Sequence, residues 1–224
     1  MKTFLRENSL SLFFAVIFLA TLVGQSFVGQ RAFNTDQLAH GEQPYSWSRY
    51  VLSSDFGGAV LENWQSEFLQ FTFFILATVW LIQKGSNESK NLEDAGLESE
   101  RKQRIGPHAP ENAPAWAKVR AWRGWVYQNS LVLAMTAVFL LTWLGQSFNN
   151  WRQFNEDRRE HEEAAVPWGE YVLNADFWER SLQNWQSEFL AVGTMAVFTI
   201  YLRQRGSPES KPVGAPHEET ASSG

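Results

Sequence analysis

The sequence predicts an all-α membrane protein. Its four transmembrane helices form two tandem parallel repeats of a helical hairpin, each with an outer loop of about 35 residues. Three observations lead there. Apolar runs alternate with very polar stretches, although the chain as a whole is only 44% hydrophobic. The chain repeats itself at an offset of 121 residues, with roughly 39 identities in about 84 gapless positions between 7–90 and 128–211. The Lys and Arg residues are shared unevenly between alternate polar segments.

Composition excludes several classes of function. With no cysteine in 224 residues, disulfides and thiolate metal sites are ruled out. The net charge of -5 and the absence of a basic stripe exclude a nucleic-acid footprint. No nucleophilic triad, phosphate-binding loop or HExxH element occurs, so no catalytic residue and no cofactor is expected.

The first repeat covers residues 1–84. Ser9 to Phe27 is apolar apart from small hydroxyl residues and Gln25. As a helix it spans about 28 Å, close to a hydrocarbon core. A basic start followed by an apolar run also fits a secretory signal. The equivalent run, Ser130 to Phe148, lies mid-chain where no signal peptide can be, which favours a transmembrane helix at about 9–28. In the following loop His40-Gly41-Glu42-Gln43-Pro44 reads as a turn. Trp47 to Phe56 reads as a short helix at the membrane interface, where Trp and Tyr concentrate. The next apolar run, Phe68 to Ile82, is short for a span. It is either a buried soluble helix or the body of a helix that starts earlier, at about 63, with Trp64 as interfacial anchor. The second reading gives a transmembrane helix over about 63–83.

Residues 85–114 are rich in Ser, Glu, Asn, Lys and Gly, followed by Pro107, Pro110 and Pro114; they predict a flexible cytoplasmic linker. The second repeat covers 115–205. It opens with an amphipathic, cationic lead-in in which Trp116, Val119, Trp122 and Val126 recur at helical spacing. Transmembrane helices follow at about 128–149 and 184–204. The run Glu156 to Glu163 in the second outer loop reads as a solvated, salt-bridged helix. The tail, 206–224, predicts disorder.

Thirteen Lys and Arg fall in the N-terminal segment, linker and tail, against six in the two outer loops. The positive-inside rule then places both termini in the cytoplasm, with the bilayer itself as the first partner. A homo-oligomer or another membrane protein is the second class of partner. The two hairpins run in the same direction, unlike the inverted repeats of many transporters.

One polar stretch is kept in both copies: Asn63-Trp64-Gln65-Ser66-Glu67-Phe68-Leu69 and Asn184-Trp185-Gln186-Ser187-Glu188-Phe189-Leu190. With Gly24-Gln25-Ser26-Phe27 and Gly145-Gln146-Ser147-Phe148 it would form one polar cluster on the outer side. The cluster comprises Gln25, Arg31, Trp64, Gln65, Glu67, Gln146, Arg152, Trp185, Gln186 and Glu188. A carboxylate near hydrocarbon requires a partner or a wet cavity. The cluster is therefore either a hydrogen-bonded clasp that pairs the helices of each hairpin, with Arg31 and Arg152 facing the glutamates, or a proton- or ion-binding site. His40, Glu42, His161 and Glu163 form a weaker pattern, two His-x-Glu pairs able to hold a metal if the loops converge. The expectation overall is a non-enzymatic structural or interaction protein, with a small ion or proton permeation protein as the alternative.

At Trp47…Tyr50-Val51-Leu52…Asp55-Phe56 and at the kept heptapeptide, the chain resembles a family of uncharacterised bacterial multi-pass membrane proteins, a domain of unknown function. The resemblance covers both repeats and implies a bacterial inner-membrane location, without assigning an activity or catalytic residues.

Overall fold

The computed structural model describes residues 2–222, without the side chain of Lys2; Met1, Ser223 and Gly224, the ends of the first repeat and of the tail, lie outside the described residues. Within this span the chain is all helical and no strand occurs. The helices are α1 (Lys2–Glu7), α2 (Ser9–Ala39), α3 (Trp47–Val51), α4 (Ser54–Trp80), α5 (Trp122–Gln128), α6 (Ser130–Glu160), α7 (Trp168–Tyr171) and α8 (Ala175–Tyr201). The limits of α2 and α4 return in α6 and α8 at the same 121-residue offset.

Two helices, α2 and α6, are long and apolar enough to cross a membrane. Four had been expected from the sequence. α4 and α8 miss that standard because their apolar parts, from Phe68 and Phe189, end at Trp80 and Tyr201, short of the expected 83 and 204; each also begins at Ser54 or Ala175, well before the expected 63 and 184. The added turns carry Asp55 and Glu62 in one, and Asp176, Glu179 and Arg180 in the other. The expected interfacial helix over Trp47 to Phe56 is accordingly split. α3 stops at Val51, Ser53 Oγ accepts from the Phe56 N–H, and α4 starts. α2 and α6 also run about three turns beyond the expected 28 and 149, into the outer loops.

The chain divides into two compact units, neither of which is a sequence repeat. One joins Met1–Val60 with Gln146–Tyr171; the other joins Leu61–Gly145 with Val172–Gly224.

The first unit holds the loops that follow α2 and α6, each pinned in the same way. Asn34 accepts from the Tyr45 N–H at 2.7 Å and donates to the Tyr45 carbonyl at 2.9 Å. Asn155 makes the same pair of bonds with Val166, at 2.8 and 3.0 Å. The Trp47 indole donates to Ser26 Oγ and stacks on Phe27; the Trp168 indole donates to Ser147 Oγ and stacks on Phe148. The kept Gln-Ser-Phe motif thus supplies an acceptor and an aromatic face for the tryptophan that follows the loop. Where the repeats differ, at Gly57-Gly58, the reason is close approach. A Cβ at Gly57 or Gly58 would sit 2.8 Å from Oδ1 of Asn149 or Asn150 on α6, and Gln153 of α6 donates to Asp55.

Both long helices end alike. The Glu42 N–H reaches back to the Gln37 carbonyl, and the Glu163 N–H to that of Arg158. This closure requires a left-handed residue, the role of glycine in such caps. Gly41 fills it in the first copy with φ +78°, whereas the second uses Glu162 with φ +58°.

The second unit holds α5, most of α4, the inner part of α6, α8, and the segments expected to be flexible. These segments adopt defined turns. After α4, Gln83-Lys84-Gly85-Ser86-Asn87-Glu88-Ser89-Lys90 folds so that Ser89 Oγ accepts from the Gln83 N–H at 2.9 Å and Ser86 Oγ accepts from the Glu88 N–H. Gln204 to Lys211 does the same after α8, through Ser210 and Ser207. Gly85 and Gly206 both take positive φ there. Lys211 is 1% exposed, and its ammonium donates to the carbonyls of Pro216, His217 and Glu219. Composition predicted disorder because these segments bury little apolar area; what orders them is hydrogen bonding to main-chain groups.

Replacing Glu162 by Gly should raise stability by up to about 1 kcal/mol by removing left-handed strain, less the added freedom of the unfolded chain. Gly41→Glu should lower it comparably. Thermal melting of the purified protein in detergent measures both, and a lower melting point for Glu162→Gly would contradict the strained cap.

Candidate functional site

The second unit carries the strongest concentration of polar chemistry, along the seam where α4 meets α8. Near the start of α8, Arg180 pairs with Glu62 of α4 at 3.3 Å and with Asp176 at 3.2 Å. Burial opposes the guanidinium charge, but the two carboxylates outweigh it and hold the group above its ordinary pKa. Arg180 and Glu62 were not singled out in the sequence because neither charge is repeated. Ala59 stands where Arg180 would recur, and Gln183 where Glu62 would.

One turn further in, the Trp185 indole donates to Gln65 Oε1 at 2.8 Å, while Gln65 donates to the Glu62 carbonyl. Gln65 has no exposed surface. Trp185 also lies in an aromatic group with Phe139 and Trp143 of α6 and Trp178 of α8. Trp143 donates to Ser181 of α8, so α6 is held against α8 as well. Glu188 lies within electrostatic reach of Glu67, and Ser66 Oγ donates to the Asn63 carbonyl.

Below these residues lies a cavity of about 190 Å³. Its lining is paired by the repeat. Gln70, Phe71, Phe74 and Glu88 return 121 residues on as Ala191, Val192, Met195 and Glu209, and all eight line it. The cavity therefore sits on the local pseudo-two-fold relation between α4 and α8. Its walls are apolar, and its polar edge is formed by Glu88 and Glu209. Burial, and then the neighbouring Glu209, raises the Glu88 pKa above its ordinary value.

The residues expected to form one cluster are divided between the units. Gln25, Arg31, Gln146 and Arg152 belong to the first unit; Trp64, Gln65, Glu67, Trp185, Gln186 and Glu188 belong to the second. Of these, the structure brings together Gln65 with Trp185 and Glu67 with Glu188. Gln25, Arg31, Arg152 and Gln186 are exposed. Gln146 is fully buried, and its amide has no hydrogen-bond partner among the described residues. The ion pair beside the kept heptapeptide is Glu62–Arg180. His40 and His161 each place Nδ1 against the carbonyl four residues back, Asp36 and Asp157. No group of three or more His, Asp or Glu side chains is arranged to hold a metal among the described residues, so His40, Glu42, His161 and Glu163 do not converge on a metal site.

Glu88 and Glu209 escaped notice in the sequence although the signal was present. They lie in Gln-x-Gly-Ser-x-Glu-Ser-Lys, which is kept in both copies as the heptapeptide is.

The Glu88–Glu209 pair predicts a pH dependence. A carboxyl whose folded pKa is raised stabilises the fold below its unfolded pKa and loses that contribution as pH rises through the folded value. Glu88→Gln should therefore raise the melting temperature near pH 8 by a few degrees and leave it nearly unchanged near pH 4. An equal effect at both pH values would exclude a raised Glu88 pKa.

No curated protein and no solved structure matches the chain. A family match covers residues 1–222. On that match the chain belongs to the family defined by the domain of unknown function DUF6766.

Proposed function

We propose that the chain is a four-span protein of the bacterial inner membrane, built as two tandem parallel hairpins, with a non-enzymatic structural or interaction role. α2 and α6 supply two spans; the apolar inner halves of α4 and α8, from Phe68 and Phe189 onward, supply the others. The outer halves of α4 and α8 then stand in the headgroup layer, where Glu62, Arg180 and the kept tryptophans are at home. The charge balance of thirteen against six places both termini and the linker inside. Trp122 and Trp125 of α5, both exposed, suit the inner membrane surface beside Arg120 and Arg123.

One observation carries the non-enzymatic reading. Several polar residues kept between the copies hold segments of the chain to each other, as Ser26 with Trp47, Asn34 with Tyr45, and Ser147 with Trp168. Residues kept for a reaction would instead converge on an open site.

Cysteine labelling tests the topology, conveniently in a chain without native cysteine. Single cysteines replace Glu42 and Ser99, both exposed. A membrane-impermeant maleimide added to intact cells should label position 42 and leave position 99 until the membrane is broken. If α2 and α6 alone cross the membrane, both positions label from outside. Ser86, with no exposed surface, is unsuitable for this purpose.

A second reading, proton or cation permeation, is supported by the paired cavity with Glu67 and Glu188 above it and Glu88 and Glu209 at its edge. Proteoliposomes carrying the Glu67→Gln/Glu188→Gln protein decide between the two. Permeation predicts at least a tenfold loss of flux per folded molecule; the structural role predicts no flux above empty vesicles in either protein.

A further inference from the structure

The Asn-Ser-Leu motif at 8–10 and 129–131 has one structural role in both copies. Asn8 and Asn129 each stand between a short helix and a long one, with φ of -115° and -109°. The Asn8 side-chain amide donates to the Phe4 carbonyl at 2.9 Å, and that of Asn129 to the Trp125 carbonyl at 2.8 Å. Ser9 and Ser130 donate to the carbonyls three residues back, Arg6 and Tyr127. Side chains that take main-chain partners in this way compete with the helix ladder. Each of α2 and α6 is therefore preceded by a separate short helix. The two short helices are alike in kind: Lys2, Phe4 and Leu5 return as Arg123, Trp125 and Val126.

In the second unit the short helix, α5, belongs to a larger exposed surface. The chain turns at Ala121, with φ +71°, and the Val119 carbonyl occupies the place of a Cβ at Gly124. Glycine thus lets the 3-10 turn Ala115–Lys118 fold against α5, and the rings of Trp116 and Trp122 meet edge to face at 6.4 Å. Trp116, Trp122 and Trp125 are 43%, 65% and 59% exposed. Cations border them. Arg123 holds its guanidinium 5.4 Å from the Trp122 ring centre, Lys118 donates to the Glu111 carbonyl, and Arg120 pairs with the exposed Glu100.

Two observations say what covers this surface. α5 is separated from α6 by Asn129 alone, and α6 is apolar enough to cross a membrane. The tryptophans of α5 then lie near the level where hydrocarbon gives way to headgroups, the layer that such rings favour. The local charge is also of one sign, since no Asp or Glu occurs between Glu111 and Glu156. Each Lys or Arg close to an anionic leaflet gains an attraction that a zwitterionic leaflet does not supply.

We propose that α5 and the turn Ala115–Lys118 form a docking surface for anionic phospholipid headgroups. Lys118 and Arg123 meet the phosphates, while Trp116, Trp122 and Trp125 seat among the headgroups. The Asn129-Ser130 break lets α5 lie along the membrane surface while α6 enters it. The proposal names the lipid partner of the membrane reading above and rests on α6 spanning the bilayer.

The test is fluorescence quenching by lipids of known charge. A single cysteine replaces Gln128, exposed on α5, and carries a fluorophore. The full chain is reconstituted in vesicles of phosphatidylcholine and phosphatidylglycerol. A minor part of one lipid or the other bears a nitroxide high on its acyl chain. Nitroxide phosphatidylglycerol should quench position 128 several-fold more than nitroxide phosphatidylcholine. High salt should remove the preference by screening, and Lys118→Gln/Arg123→Gln should remove it without shifting the melting curve. Equal quenching by both lipids overturns the proposal, as does a preference that survives salt and the double substitution. A fluorophore at Leu141→Cys, on the exposed face of α6, reports separately whether α6 lies in the bilayer, through nitroxides deep on the acyl chain. If position 141 is quenched and position 128 is quenched by neither lipid, the docking surface fails and the membrane reading stands. If position 141 is not quenched, both fail.

Discussion

The segments that follow α2 and α6 depend on one exchange of hydrogen bonds, between an asparagine amide and the backbone of a residue eleven positions on. Asn34 satisfies both the N–H and the carbonyl of Tyr45, and Asn155 those of Val166. A loop that leaves a long helix must return with its main-chain groups paired, since unpaired buried groups cost about 1–3 kcal/mol each. The amide supplies that pairing without a strand or a further helix. Once it is made, Trp47 and Trp168 come to rest over Phe27 and Phe148 with their indoles on Ser26 and Ser147. The starts of α4 and α8 follow a few residues later.

The two copies then diverge where one scaffold must meet different neighbours. Gly57 and Gly58 let α4 lie close to Asn149 and Asn150 of α6. At the same two positions α8 has Trp178 and Glu179, and Trp178 joins Trp143 and Trp185 instead. Trp143 itself stands where the first copy has Leu22, so the bond to Ser181 has no counterpart with Val60. The repeat is thus a shared backbone plan carrying two sets of contacts. The α4–α8 seam retains the symmetry best, because there each residue of one copy meets the surroundings of its own equivalent. The cavity with paired lining and the Glu88–Glu209 pair are the outcome.

Helicity and the apolar character of α2 and α6 were legible in residues 9–27 and 130–148, because an unbroken apolar run of that length specifies one structure in or out of a membrane. The ends of the helices were not. α4 begins at Ser54 because Ser53 caps it, and the polar residues that follow obscured the continuity. The kept heptapeptide pointed to the α4–α8 seam but not to its ion pair. Arg31 and Arg152 were chosen by helical spacing, whereas Glu62 and Arg180, from different copies, form the ion pair of the seam. A pairing between residues 118 apart that is not itself repeated leaves no trace in a pattern search. The turns after α4 and α8 were not legible for a related reason. Burial of apolar area governs whether most segments order, but Ser89, Ser210 and Lys211 order theirs through main-chain groups.

By itself the sequence determined the helical class, the 121-residue repeat, the two strongly apolar helices and the polar positions both copies keep. These depend on local composition and spacing, which each segment carries whatever surrounds it. The tertiary structure decided which kept residues meet, that Ser26 serves Trp47 and Gln65 serves Trp185, and that a carboxyl pair borders a cavity between α4 and α8. Those outcomes depend on which helix faces lie against each other. A polar side chain becomes a clasp or an ion pair only through the neighbour that removes it from water.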